Sequence, residues 1–324
     1  MNLRIGSRGS QLALWQANHI AALLRGQGHT VEIEIIKTTG DRLQEVTFAQ
    51  VGSKGMFTKE IEEALADGRV DLAVHSLKDL PTELPPLFAL AATPPRVDPR
   101  DVLVSVQYDG LARLPQGAVV GTSSQRRRAQ LRSVRPDLVA VEFRGNVDTR
   151  LRKLSEGQVD AILLAAAGLD RLGKTEWVRE RLEPCDFCPA AGQGSLGIET
   201  RRDDSTTIAV LAFLDDRDTR YAVTAERAAL AALGGGCQVP IGIHCRKTSR
   251  AATPGADEDV EIFGVVANPA NGESIRIHHE ARASETDAAT LGHIAAQKLI
   301  EAGAGALLEM AAQPPAGASA CHIP

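Results

Sequence analysis

The chain repeats one local pattern, and this repeat restricts its fold more than any other feature. An apolar strand, a turn of small and hydroxyl residues and the start of a helix follow one another in Arg4–Ser10 and again in Val119–Gln125. Further along, Gly68–Val74 is matched by Gly157–Leu163 in the same order. Strands that alternate with helices predict two α/β units of one architecture, with mainly parallel sheets. Because ligands bind beyond the carboxyl ends of such strands, two facing units predict a cleft.

The segments between and after these units predict three domains. Prolines between Pro81 and Pro99 indicate a crossover to the second unit, and the small-residue loop Pro189–Glu199 brings the chain back. From about Arg217 an Ala-rich helix, three strands and a further helix predict a small α+β unit. We therefore expect an α/β protein with two α/β domains and a small α+β C-terminal domain, bounded at 1–95 with 195–212, 100–190 and 217–324.

The charge balance excludes general nucleic-acid binding. The 324 residues carry a formal net charge of −5 and 3% aromatic side chains, so the chain offers neither a basic surface nor stacking platforms for bases. Five cysteines, an odd number scattered along the chain, do not suggest a disulfide framework. With no signal-peptide pattern and no apolar run long enough for a membrane, we expect a soluble protein of the reducing cytoplasm.

Cys237 lies in a stretch whose composition favours an accessible thiol. An Ala/Leu-rich helix runs into Gly234-Gly235-Gly236-Cys237, and a short apolar run follows. Glycines allow backbone conformations that other residues resist, and they leave the space beside the sulfur open. A thiol that serves only packing is usually buried among apolar neighbours. The alternative interpretation is a glycine-capped helix end that Cys237 merely follows.

Basic side chains concentrate in the predicted turns and helix starts. Helix N-termini already favour anions, and Arg adds a planar fork that matches a carboxylate or a phosphate. Arg128 and Arg132 fit solvated surface positions. The other basic positions predict a cleft for a ligand with several anionic groups; they are Arg8, Lys78, Arg126, Arg127, Arg144 and Arg150.

Lys78-Asp79 is a second unusual pair. A carboxylate beside a cation in a cleft can bind an N–H group and move protons, whereas a surface ion pair contributes little. His75, at the end of a buried strand, is expected to pack there. Cys185 and Cys188 have the spacing of half a zinc site, but no second pair accompanies them, so no metal is expected. Phosphate-binding and dinucleotide glycine motifs do not occur, which argues against nucleotide cofactors.

Seven stretches together resemble one family, hydroxymethylbilane synthase, also called porphobilinogen deaminase. Each alone is weak, but they occur in the family's order and span most of the chain. The stretches are RIGSRGSQLALWQ (4–16), GSKGMFTK (52–59), HSLKDLP (75–81), GTSSQRR (121–127), RGNVDTR (144–150), AAGQGSLGIE (190–199) and GGGCQVPIG (234–242). One departure is Gln50, where relatives often carry lysine, which leaves Lys54 as the better basic candidate there.

The resemblance implies a fold and a reaction. Two domains would be similar to type-2 periplasmic binding proteins, and the third would carry the cysteine loop. The implied reaction joins four porphobilinogen molecules head to tail with release of ammonia, and water then frees linear hydroxymethylbilane. The implied cofactor is dipyrromethane, held by a thioether to Cys237. The enzyme would act as a cytoplasmic monomer, bind no nucleic acid or membrane, and hand its product to uroporphyrinogen-III synthase.

The resemblance also implies residue roles. Each pyrrole carries an acetate and a propionate, so a growing chain accumulates carboxylates that Arg and Lys can bind. Asp79 matches the catalytic carboxylate, with Arg8 and Lys78 beside it. The cofactor-binding positions match Cys237, Lys78, Asp79, Ser124, Arg126, Arg127 and Arg150. The substrate-binding positions match Arg8, Ser10, Arg144, Arg171 and Gln193.

The residues alone leave two other functions open. One is a non-catalytic two-domain anion-binding protein with an unmodified cysteine. The other is an RNA-binding protein that uses the cluster 126–132, which the low aromatic content and acidic balance disfavour. A covalent group on the purified chain would separate the transferase from both.

Overall fold

The computed structural model describes residues 1–39, 58–235, 239–248 and 259–312. Within these ranges the strands form two sheets of five strands and one of three. The chain therefore has the predicted fold class, with two α/β units and a small C-terminal unit of sheet and helices. The domain boundaries given above stay a prediction. No helix in the described ranges is both long and apolar enough to cross a bilayer.

The first sheet begins at the N-terminus and is completed late in the chain. Its strands are β1 (Asn2–Ser7), β2 (Thr30–Ile35), β3 (Leu72–Ser76), β4 (Phe88–Ala92) and β10 (Leu196–Arg201). Their order is β2-β1-β3-β10-β4, with β1 parallel to β2 and β3 and with β10 antiparallel to both of its neighbours. The helices beside this sheet are α1 (Gln11–Gly26), α2 (Lys59–Ala66) and α6 (Ser205–Leu211).

The second sheet lies in the middle of the chain. Its strands are β5 (Asp101–Val104), β6 (Val119–Gly121), β7 (Val139–Val141), β8 (Ala161–Ala165) and β9 (Val178–Leu182). Their order is β7-β6-β8-β5-β9, with β6 parallel to β7 and β8 and with β5 antiparallel to both of its neighbours. The helices of this unit are α3 (Gln125–Val134), α4 (Val147–Ser155) and α5 (Ala166–Arg171).

The two five-stranded sheets share one topology. β6 takes the place of β1, β8 the place of β3, and β5 the place of β10. This confirms the internal repeat, because the matched sequences contain β1 and β6. Mainly parallel sheets are also confirmed, with one exception in each. The reversed strand is the one that enters from a crossover, and the sequence did not predict it.

The C-terminal unit packs an antiparallel sheet against helices. Its strands are β11 (Ile241–Lys247), β12 (Asp259–Ala267) and β13 (Ser274–Arg282), and its helices are α7 (Arg217–Ala232), α8 (Ala288–Glu301) and α9 (Ala304–Ala312). Asp216 begins α7 by accepting a hydrogen bond from the Thr219 N–H at 2.8 Å. Buried Ala225 and Ala229 of α7 lie in one apolar core with Leu291 and Ala295 of α8. This core fixes the helix that leads toward Gly234 and Gly235.

Glu226 ties this third unit to both crossovers. Its side chain is fully buried, and its Oε1 accepts from Arg96 Nη1 at 2.6 Å and from the Cys245 N–H at 2.8 Å. Its Oε2 accepts from the Gly192 N–H at 2.6 Å. Burial raises the pKa of Glu226, but the charge of Arg96 and the bond with His244 outweigh it and lower the value to about 2. The carboxylate of Glu226 in α7 thus bonds to Arg96, in the segment that leaves the first unit, and to Gly192, in the segment that returns to it.

We expect Gly292→Ala to destabilise the third unit. A Cβ at Gly292 of α8 would lie 2.2 Å from the Ala225 carbonyl oxygen of α7, so the two helices would have to separate. Overpacking of this kind costs about 1–3 kcal/mol of unfolding free energy, which urea denaturation measures. Gly305→Ala in α9 is the control, because a Cβ there meets nothing within 4 Å. Equal stability of the two variants would contradict the close helix contact.

Candidate functional site

The predicted Lys78-Asp79 pair lies at the carboxyl end of β3. The chain leaves the strand through a short 3₁₀ turn, Leu77–Asp79, whose Leu77 is buried and holds the turn against the core. Lys78 is partly buried, whereas Asp79 is exposed. At the corresponding edge of the second sheet, where β6 ends, α3 begins. The two predicted clusters therefore lie where the repeat places ligand sites.

Arg126 and Arg127 occupy the first turn of α3, and Ser124 caps that helix. The Ser124 hydroxyl accepts from the Arg127 N–H at 3.4 Å, which satisfies a free amide at the helix start. Both residues are buried, Arg126 at 5% and Arg127 at 6% exposure. Burial lowers the pKa of Arg127, and the charge of Asp101 opposes that effect.

Asp101, the first residue of β5, is the buried counter-charge of both arginines. Its Oδ2 accepts from Arg126 Nη1 at 2.5 Å, and its Oδ1 accepts from Arg127 Nε at 2.9 Å. Burial raises the pKa of Asp101, but the charges of Arg126 and Arg127 and the hydrogen bonds outweigh it and hold the value far below its ordinary range. The sequence reasoning missed Asp101, since a charged residue at a strand start gives no signal by itself.

Gln193 connects this ion network to Lys78. Its Nε2 donates to Asp101 Oδ1 at 2.9 Å and to the Pro99 carbonyl at 2.7 Å. Its Oε1 accepts from Lys78 Nζ at 3.4 Å and from Arg127 Nη2 at 3.5 Å. Burial lowers the pKa of Lys78 to about 8, although Asp79 opposes this effect. Three cations thus surround one buried carboxylate, and this excess of positive charge suits an anionic ligand.

Arg8, Ser10 and Asp79 line one pocket. Its wall is completed by residues of α1, α2 and β3, among them Gln16, His75 and Ser76. Ser10 also caps α1, where its hydroxyl accepts from the Ala13 N–H at 3.3 Å. The structure therefore brings the predicted catalytic carboxylate together with two predicted substrate-binding residues.

Arg150 and Arg171 are directed toward the same region, and Arg144 lies near enough to Arg150 for its charge to lower the pKa of that residue. Burial and the nearby charge of Arg127 lower the pKa of Arg150, whose Nε donates to the Gly145 carbonyl at 2.7 Å. Arg171 Nη2 donates to the Gly194 carbonyl at 2.8 Å, and burial lowers its pKa to about 10. Arg144 Nε instead donates to Glu142 Oε1 at 2.6 Å.

Two expectations about other residues have different outcomes. His75 packs in β3 as predicted and is 8% exposed. Arg132 is not simply solvated, because its Nη1 donates to the carbonyl oxygens of Pro269 and Ala270 in the third unit. Cys237, Gln50 and Lys54 lie outside the described residues.

The fold and this cluster define a class of protein: an α/β protein with paired units and a buried cluster of cations around one carboxylate. Two family models match the chain, "Porphobilinogen deaminase, dipyromethane cofactor binding domain" over residues 3–209 and "Porphobilinogen deaminase, C-terminal domain" over residues 220–301. The chain belongs to the porphobilinogen deaminase family. It is accordingly a deaminating transferase, a hydroxymethylbilane synthase that polymerises porphobilinogen in tetrapyrrole synthesis.

Full-length relatives agree with the family models. The chain is 50% identical to a porphobilinogen deaminase of Nitratidesulfovibrio vulgaris over 94% of its own length and 96% of the relative's. It is also 50% identical to that of Chromobacterium violaceum over the same shares. Among solved structures, the methionine-binding protein MetQ matches with a TM-score of 0.42 and 13% identity, over 70% of this chain and 94% of that one.

We expect Asp101→Asn to destabilise the chain strongly. The substitution leaves two buried guanidinium groups without their negative partner, which costs about 3–5 kcal/mol for a broken buried pair. Urea denaturation measures this loss. The matched control is Asp137→Asn, whose partner Arg135 forms a more exposed pair at 2.7 Å. A loss no larger than that of the control would show that Asp101 does not hold the arginines.

Proposed function

We propose that Cys237 carries dipyrromethane through a thioether and that the cationic site binds the carboxylates of this group and of the growing chain. The observation that carries the proposal is the buried excess of positive charge formed by Lys78, Arg126 and Arg127 around Asp101. Burial lowers the pKa values of Lys78 and Arg127, and cations in such surroundings gain from an anion at their side. The acetate and propionate groups of pyrroles supply such anions.

Contacts of α7 support the proposal for the cysteine loop. Arg227 of α7 donates to the carbonyl oxygens of Leu80, Pro81 and Thr82 at 3.1, 2.6 and 3.0 Å. Leu230, one turn further along α7, lines a small apolar pocket together with Lys78. The helix that leads into the glycine run is thus fastened to the turn that carries Lys78 and Asp79.

The chain's own residues divide into three groups in this proposal. Asp79 accepts hydrogen bonds from pyrrole N–H groups, stabilises the positive charge that develops as ammonia leaves, and accepts protons, with Arg8 and Lys78 beside it. Dipyrromethane, when bound, supplies the pyrrole carbon to which the first porphobilinogen is joined. The carboxylates of the cofactor are held by Lys78, Ser124, Arg126, Arg127 and Arg150. Incoming porphobilinogen and the chain are held by Arg8, Ser10, Arg144, Arg171 and Gln193.

The proposal extends to the surroundings of the enzyme. We infer that it works as a monomer in the cytoplasm, in keeping with Cys185, Cys188 and Cys245, which are free thiols among the described residues. Linear hydroxymethylbilane would pass to uroporphyrinogen-III synthase. Family membership decides against the non-catalytic anion-binding protein and the RNA-binding protein.

Cys237→Ala is expected to abolish the covalent cofactor. Intact-mass measurement should show the wild-type chain heavier than its sequence by the mass of dipyrromethane, with a pink colour in Ehrlich's reagent, and should show the variant at its bare mass. Cys185→Ala is the matched control, because Cys185 is an exposed free cysteine. A bare wild-type chain, or a variant that keeps the added mass, would overturn the linkage.

Asp79→Ala is expected to keep the cofactor and lose nearly all turnover. Asp101 remains in this variant as the hydrogen-bonded counter-charge of Arg126 and Arg127, whereas general acid–base groups contribute about 10²–10⁴-fold in rate. Ammonia release measures turnover, and intact mass measures cofactor content. Asp109→Ala, at an exposed loop position of the second unit, controls for the loss of a surface charge. Near-normal turnover of the Asp79 variant would remove this residue from its role.

A further inference from the structure

A buried His–Glu pair lies directly behind the pocket of Asp79. We propose that His75 and Glu199 form a proton-accepting pair that serves this pocket and carries away the proton that each condensation releases. His75 is a positioning and relay residue in this account, and Glu199 acts through it. The inference rests on the proposed function of Asp79.

His75 forms a hydrogen bond with the buried carboxylate of Glu199 and also lines the pocket of Asp79. His75 Nε2 and Glu199 Oε2 are 2.9 Å apart, and the side chain of Glu199 has no exposed surface. The two residues belong to adjacent antiparallel strands, where His75 lies opposite Gly197 and Glu199 opposite Ala73. His75 also lines the pocket with Arg8 and Asp79. The imidazole therefore lies between a buried carboxylate and the reaction space.

Glu199 has few other partners. Its Oε1 is buried and makes no hydrogen bond with the described residues. A buried carboxylate with one hydrogen-bond partner is costly unless it keeps a proton nearby. In this proposal Glu199 accepts from Nε2–H, so that Nδ1 of the neutral imidazole carries the lone pair that takes the proton.

The charged groups around His75 come from four segments. Glu199 belongs to β10, Glu62 to α2, Arg8 to the turn after β1, and Asp79 to the 3₁₀ turn. Burial and the negative charge of Glu199 raise the pKa of Glu62, while Thr58 and His75 oppose this shift.

The chemistry of the condensation creates a need for this pair. The C–N bond of the aminomethyl group breaks, and its electron pair leaves with ammonia. A C–C bond forms from the methylene carbon to the α carbon of the next pyrrole. The C–H electron pair of that carbon returns to the ring, and its proton is released. Asp79 accepts this proton, His75 Nδ1 takes it next, and it leaves as ammonium with the ammonia of the same cycle. Transfer to His75 gives Asp79 an acceptor within the fold in addition to solvent.

Glu199→Gln tests the proposal by the pH dependence of kcat. The amide keeps a hydrogen-bond acceptor but removes the negative charge beside His75 Nε2. We expect kcat to fall by about tenfold or more and the acid limb of its pH profile to move to lower pH. Glu261→Gln is the matched control, since Glu261 Oε2 also lies 2.9 Å from a histidine, His278 Nε2, but in the third unit. That variant should keep the wild-type profile.

Two further measurements keep the test decisive. His75→Gln should lose the acid limb and about 10²-fold in kcat while cofactor content by intact mass stays normal. Nitrogen-15 NMR of the wild-type holoenzyme should show His75 in its Nε2–H tautomer, which requires no variant to fold. An Nδ1–H tautomer, or a Glu199→Gln profile that superimposes on the wild type, would overturn the relay. Hydroxymethylbilane production by the wild type and its loss in Asp79→Ala test the underlying function separately.

Discussion

The buried carboxylate of Asp101 is the interaction on which the rest of the site depends. Two guanidinium groups could not be withdrawn from water beside a lysine without a negative charge among them. Asp101 supplies that charge from the first residue of β5, where the chain has just crossed into the second unit. It neutralises only one of the three cations. The remaining positive charge is a stable property of the folded chain, available to a ligand before any ligand arrives.

A second buried carboxylate, that of Glu226 in the third unit, also contacts the segments that connect the two α/β units. Glu226 accepts from the Gly192 N–H, and its partner Arg96 donates from Nε to the Gln193 carbonyl at 2.8 Å. The side chain of Gln193 meanwhile bonds to Asp101 and Lys78. Gly194 lies so close to the segment between β4 and β5 that a Cβ there would be 2.6 Å from the Val97 carbonyl oxygen. The short returning segment is therefore held by hydrogen bonds from the third unit and from the second. These contacts orient the side-chain amide of Gln193, which bonds to both Lys78 and Arg127.

The sequence predicted the repeat and most of the cationic positions because both are local. β1 and β6, and the basic residues that follow strands or open helices, carry their signal within a few residues. Asp101, Glu199 and Glu226 could not be found this way, since each acquires its meaning from partners 25 to 130 residues away along the chain. The same limit explains Arg132, whose partners are carbonyl oxygens of a turn in the third unit. A charged side chain in a one-dimensional sequence does not reveal whether it will face water or another charge.

The electrostatics of the site also link ligand binding to the stability of the fold. Burial lowers the pKa of Lys78 to about 8 and lowers that of Arg127, so holding both charged costs part of the free energy of folding. Carboxylates placed beside them offset this cost, and a ligand that binds only the folded chain stabilises it by mass action. In the function proposed above, the group is held covalently and remains at the site through every cycle, so this stabilisation would persist after product departs. The residues proposed to bind the acid groups of the pyrroles would then be the same residues whose burial makes the unloaded chain the less stable form.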